Sequence, residues 1–215
     1  MIVYWILLLI IAFFAYGIGS ISTLSIASSF VFHRNLHKIG KKSMFISNFR
    51  RLYGWQGFAK LLGVELVRDF IPLLLGGLLL AIKGHADVGF AFAGFCLVLG
   101  RLFPVFNHFR GSSASICLIA SMLCVNFSLG IATAVLVIAG TFLTRYLAVG
   151  AMAGAVAAIV VSILLVDSGI LRILCVLTAA IVLIRHLPSI RRIAEKKELR
   201  MSLEEDISYK FEEPF

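Results

Sequence analysis

The residue types that could do chemistry in this chain are basic and hydroxylic, and they come in clusters. Between His33 and Gly54 stand Arg34, Lys38, Lys41, Lys42, Arg50 and Arg51, with no acidic residue among them. Within that stretch Gly40-Lys41-Lys42-Ser43 is followed by Ser47-Asn48-Phe49-Arg50-Arg51. Glycine lets a backbone approach an anion, lysine and arginine supply charge, and serine and asparagine supply hydrogen bonds. Lys41, Lys42, Ser43, Ser47, Asn48 and Arg51 are therefore candidates for holding a phosphate. The segment is not a Walker loop, because Asn35 stands where that motif needs its first glycine. A second segment, Gly100 to Ser113, contributes Arg101, Arg110, Ser112 and Ser113, and is shaped by Pro104 and Gly111. Its His108 has the right type for a general base but reads as a polar anchor. Two further basic turns hold Arg145-Tyr146 and Arg185-His186. Four such segments on one surface would suit a phosphorylated substrate lying beside a membrane.

The elements that must position these residues are membrane helices. Of the 215 residues, 60% are hydrophobic and 14% charged, and the mean hydropathy is +1.01. Soluble domains carry about a quarter charged residues, so a soluble enzyme and a disordered chain are both excluded as readings. The net charge of +9 would suggest nucleic acid in a soluble protein. Here the charges fall between apolar runs, so they set topology and face anionic lipid or substrate, and no nucleic-acid partner is expected.

Met1 to Phe32 is uncharged and reads as one long retained helix, since it lacks the basic start of a secretory signal. Further apolar runs cover residues 57–82, 88–106, 111–144, 146–166 and 168–184. The run 111–144 is long enough for one steep helix or two short crossings, and Asn126, Ser128 and Gly130 offer a turn at its middle. Two crossings gather Arg34, Lys38, Lys41, Lys42, Arg50, Arg51, Arg101, Arg110, Arg145 and the tail from Arg185 on one side. The other side then keeps Lys83, Asp87, Asp167 and Arg172. That asymmetry selects an all-α integral membrane bundle of seven transmembrane helices, N-terminus outside and C-terminus cytoplasmic. Residues 1–193 form the membrane domain and 194–215 a charged cytoplasmic tail, basic in its first half and acidic in its second. No internal repeat supports an inverted-repeat transporter.

Charges inside a membrane mark function or packing by default. Glu65, Arg68 and Asp69 share one helical face, and Arg68 could bridge both carboxylates. The cluster reads either as the polar wall of a cavity or as a neutralised device that fixes helix packing. Cys96, Cys117, Cys124 and Cys175 lie in apolar runs without metal-ligand spacing and read as small buried hydrophobes. No metal site or cofactor is expected.

On these motifs the chain resembles the bacterial family of acyl-phosphate-dependent glycerol-3-phosphate acyltransferases (PlsY-type) from about Ala15 to Ile193. Gly19-Ser20-Ile21 is similar to that family's first-helix element. Gly40 to Arg51 falls on its first cytoplasmic motif, and Gly54, Glu65, Arg68 and Pro72 on its Gly, Asp, Lys and Pro. Gly100, Pro104-Val105-Phe106, Phe109 and Gly111 match the second motif, and Arg145-Tyr146 and Arg185-His186 the elements of the last third. Departures concentrate in the motifs. Lys41 and Lys42 replace a Ser and a Gly, and Arg101 replaces a His. Ser112-Ser113-Ala114 stands where the family has Gly-Lys-Gly, while Pro188-Ser189 replaces Glu-Asn. Added Cβ atoms close off backbone approach to an anion, and lysine and arginine hold phosphate differently.

The resemblance implies a multi-pass protein of the bacterial inner membrane with its basic loops facing the cytoplasm. It also implies acyl transfer from acyl phosphate to the 1-hydroxyl of glycerol 3-phosphate in phospholipid synthesis, without metal, cofactor or acyl-enzyme. Membrane lipid, acyl phosphate and glycerol 3-phosphate are the implied partners, and no protein partner is indicated. Two functions fit the altered motifs: an acyltransferase, or a catalytically silent relative that binds lipid or a partner enzyme. The topology is directly testable. Thiols introduced near Lys41 and Ser113 should be shielded from an impermeant external maleimide, and labelling of either in intact cells would reverse the assigned orientation.

Overall fold

The computed structural model describes residues 2–27, 46–107 and 111–195. It is all-helical over those residues: α1 (Ile2–Ser20), a short α2 (Thr23–Ala27), α3 (Ile46–Ala81), α4 (Ala86–Leu102), α5 (Ser115–Val125), α6 (Phe127–Thr144), α7 (Leu147–Leu165) and α8 (Gly169–Ala194), with a 3₁₀ turn at Val105–Asn107. Among them α1, α6, α7 and α8 are long and apolar enough to cross a membrane, and α5 is a shorter apolar helix.

The outer surface is greasy where a soluble protein would be polar. Phe13 and Leu143 are 86% and 85% exposed, as expected of side chains that meet lipid rather than water. The inner surface is made of small residues. In α7, Ala148, Ala151, Ala155 and Ala158 recur at three- and four-residue intervals, and all are buried. Lipid gives helices no hydrophobic reason to associate, so close backbone packing supplies the contact instead. α4 lies at the centre, packed on α1, α3, α5 and α8, and Leu97, Val98 and Leu102 are fully buried there.

Breaks in the helices follow from local chemistry. α3 is kinked at Gly54, whose φ of 65° and ψ of −169° suit only a residue without Cβ. α4 stops before Pro104, because the residue ahead of a proline is pushed out of the helical region. The apolar run 111–144 divides at Asn126, as its turn residues suggested, and the Asn126 side chain caps α6 by accepting from Leu129 N at 3.2 Å. The first run differs from expectation. It is not one helix to Phe32, because the helical hydrogen bonds lapse at Ile21–Ser22 before α2 begins. Two buried arginines take up groups released by that break, as described below. α3 also starts earlier than the apolar run beginning at Gly57, and α8 continues to Ala194 through Pro188.

The helix ends sort themselves accordingly. Tyr4 near the start of α1 meets His85 ahead of α4, and Ser20 near the end of α1 reaches the Gly100 carbonyl at 3.4 Å. α1 and α4 therefore run parallel, with α3 antiparallel beside them. One tight seam is between α3 and α4, where a Cβ at Gly89 would stand 2.8 Å from the Gly76 carbonyl carbon and 3.1 Å from Gly77 Cα. Gly89→Val should thus cost about 1–3 kcal/mol through overpacking, read as a lowered thermal midpoint in detergent. Gly63→Ala, with nothing within 4 Å of the new methyl, should leave the midpoint unchanged or raise it slightly.

Candidate functional site

The charged residues of α3 and α4 meet beneath the α1–α2 break. Glu65, Arg68, Asp69 and Arg101 are all at most 5% exposed. Arg68 donates from Nε to Asp69 Oδ1 at 2.9 Å, and from Nη1 to the Ile21 carbonyl at 3.0 Å and Thr23 Oγ1 at 2.8 Å. Arg101 donates from Nη1 to the same Thr23 hydroxyl at 2.8 Å, and its Nη2 pairs with Glu65 Oε1. Arg68 therefore does not bridge both carboxylates, as its spacing had suggested. One acid goes to each arginine, because α4 brings Arg101 to the Glu65 side. The four charges cancel, and the break at Ile21–Ser22 is what turns a carbonyl and a hydroxyl toward the two guanidinium groups. Glu65 Oε2 and Asp69 Oδ2 have no hydrogen-bond partner among the described residues.

Arg101 also links this cluster to the segment between α4 and α5, donating from Nε to the Ser113 carbonyl at 3.3 Å. Beyond it the Ser113 hydroxyl lies 3.2 Å from Ser115 Oγ and 3.3 Å from His186 Nε2. His186, on α8, is buried, and its Nδ1 lies 2.8 Å from the Val182 carbonyl. A carbonyl only accepts, so Nδ1 carries the proton and Nε2 can accept from serine. Ser115 in turn is among the residues lining an apolar groove of about 410 Å³, walled by Phe58, Leu62, Ile119, Ala134, Val137 and Phe142 from α3, α5 and α6.

Of the anion-binding candidates, Arg101 and Ser113 are thus brought together, and Ser112 is exposed beside them. Ser47, Asn48 and Arg51 lie on α3 ahead of the Gly54 kink. Lys41, Lys42, Ser43 and Arg110 lie outside the described residues. Thr23 and Ser115 carried no signal in the sequence, each being an ordinary hydroxyl in an apolar run. His186 was visible within the Arg-His element, but nothing in its surroundings tied it to Ser113.

The model of the family described as glycerol-3-phosphate acyltransferase matches residues 9–196. The chain belongs to that family. Its relatives include glycerol-3-phosphate acyltransferases of Thermoanaerobacter sp. (strain X514), 22% identical over 91% of this chain and 96% of that one, and of Paraburkholderia phymatum, 28% identical over 90% and 92%. The fold is similar to the crystal structure of PlsY (YgiH), an integral membrane glycerol 3-phosphate acyltransferase, in its glycerol 3-phosphate form. That match has a TM-score of 0.73 at 20% identity and covers 95% of this chain and 99% of the other. The form with lysophosphatidic acid aligns with a TM-score of 0.72 at 19% identity over 90% and 94%. The acyltransferase family and the membrane fold expected from the motifs are thus both shown.

The charge quartet sets the stability of this site. Removing one member of a buried pair strands the other and costs about 3–5 kcal/mol, whereas replacing both by apolar residues is often neutral. Glu65→Leu alone should lower the thermal midpoint strongly. Glu65→Leu combined with Arg101→Met should recover most of the loss, and equal loss in the single and double variants would show that the pair is not a unit.

Proposed function

We propose that this protein transfers an acyl group from acyl phosphate to the 1-hydroxyl of glycerol 3-phosphate, as a seven-span enzyme of the bacterial inner membrane. Its N-terminus lies outside and its basic segments face the cytoplasm. The observation that carries this reading is the apolar groove between α3, α5 and α6, on a fold shared with a glycerol 3-phosphate acyltransferase. A groove with so apolar a wall fits the acyl tail of a lipid-like substrate. The tail lies between α3, α5 and α6.

Lys41, Lys42, Ser43, Ser47, Asn48, Arg51, Arg110 and Ser112 are assigned to the phosphate of the acceptor, which arrives from the same end of the bundle. Arg101 plays a different part. Its donors are directed at Glu65, Thr23 and the Ser113 carbonyl, so it holds the segment before α5 in place. A second reading is favoured by that same commitment of Arg101 and by serine at position 113: a silent relative that keeps the lipid groove without turnover.

The two are separated by purifying the protein in detergent and supplying palmitoyl phosphate with glycerol 3-phosphate. Inorganic phosphate and lysophosphatidate should appear together. Arg51→Ala should slow the rate by about 10²-fold, the effect of losing one well-aimed charged donor, and Ala134→Trp should block long-chain donors by filling the groove. No turnover above a buffer blank would leave lipid binding as the function.

A further inference from the structure

We propose that Leu123, seated on Gly130, closes the far end of the apolar groove and makes it a measure of chain length, admitting straight acyl chains of about 10–14 carbons. This rests on the acyl-transfer reading above and names which donors it takes.

The walls of the groove fix where it begins and ends. On α3 its lining runs from Trp55 to Leu66, and on α6 from Phe142 back to Ala134. Between them α5 supplies the floor through Ile116 and Ile119, since it packs on both α3 and α6. The packing of α5 on α6 accounts for the far end. Leu123 follows Ile119 by one turn and Gly130 precedes Ala134 by one turn, so both continue the faces that line the groove. A Cβ on Gly130 would stand 2.5 Å from Leu123 Cα and Cδ2. The leucine therefore lies directly on the glycine backbone, and α5 and α6 leave no room for a chain at that level. The two helices then join at Asn126, which holds them together there. The opposite end is where α6 gives way to α7 around Arg145, exposed between the lining residues Phe142 and Leu147. A charged head stays outside at that end while its tail points toward Leu123.

Length and volume agree on the occupant. At about 1.5 Å per residue, Trp55 to Leu66 spans about 17 Å and Ala134 to Phe142 about 12 Å. An extended chain advances about 1.2 Å per bond, a third of the rise of one extended residue, so the walls match about 14 and 10 carbons. The groove's volume of about 410 Å³ holds about 14 groups of about 30 Å³, the size of a water and of a methylene alike. Each methylene inside the groove strengthens binding by about fourfold, the effect of burying one CH₂. A methylene that would lie beyond Leu123 has no such wall to meet.

Alkylphosphonates carry a tail and an anionic head but no transferable acyl group, so they read the groove independently of turnover. Trp5 and Trp55 are the two tryptophans of the chain, and Trp55 lines the groove. In the whole purified protein carrying Trp5→Phe, Trp55 fluorescence therefore reports binding. Decylphosphonate brominated at carbon 2 should quench Trp55 more than the same chain brominated at carbon 9, and the reverse order overturns the proposal. Leu123→Ala should leave the Kd of decylphosphonate unchanged and tighten that of the 16- and 18-carbon chains by at least about fourfold. Ala134→Leu should weaken the 12- and 14-carbon chains by at least about fourfold and leave the 8-carbon chain unchanged. Comparing each variant with the parent at every length cancels partition into detergent. If Leu123→Ala does not fold, Ala134→Leu, whose added atoms enter existing space, carries the test. With acyl phosphates and glycerol 3-phosphate, kcat/KM should be highest between about 10 and 14 carbons and lower for palmitoyl phosphate. Turnover together with variant effects equal at every chain length overturns the stop and leaves the acyltransferase standing. Length-dependent variant effects without turnover of any acyl phosphate keep the stop and overturn the transfer. Absence of both overturns both.

Discussion

The architecture depends on burying four charges where water cannot reach them. An unpaired carboxylate or guanidinium in the middle of a helical bundle in lipid is prohibitively costly. Glu65 with Arg101, and Asp69 with Arg68, meet that constraint by pairing across α3 and α4 and within α3. The constraint then propagates. α1 must break at Ile21 so that its carbonyl and the Thr23 hydroxyl can complete the donors' needs. α4 must sit against α3 closely enough for Arg101 to reach, which the glycines at 76 and 89 allow. The Nε donor of Arg101 then fixes the backbone of Ser113. A packing device on one helix pair thereby positions the segment ahead of α5.

Seen this way, the altered motifs look less like erosion and more like substitution. Arg101 stands where the family resemblance places a histidine and Ser113 where it places a lysine. The histidine of the Arg-His element, His186, faces the Ser113 hydroxyl. Trading a lysine for a serine at that place removes a cation that could hold a phosphate, so charge for the anion must come from other residues.

Much of this could be read from the residues, and the unread parts have identifiable causes. The helical architecture followed from uncharged runs, and the division at Asn126 from its turn chemistry together with charge asymmetry. The Glu65–Arg68–Asp69 face was visible because helical spacing is local. Its true pairing was not, because Arg101 is far away in sequence and the choice between two acids depends on helix packing. The break at Ile21–Ser22 left no trace, since neither residue is a breaker and both lie in an uncharged run. Ser113 and His186 are 73 positions apart, and no local pattern links them.

The shortness of α5 has a physical consequence for any headgroup that comes to this site. α5 has 11 residues and its neighbour α6 has 18, and the two meet at the Asn126 end. Ser115 is therefore recessed by about 10 Å, at 1.5 Å per residue, below the far end of α6. None of the α5 residues is exposed, because α3, α4, α6, α7 and α8 surround it, so the recess is walled by protein rather than by lipid. At that depth the low dielectric strengthens every attraction to an anion that reaches it.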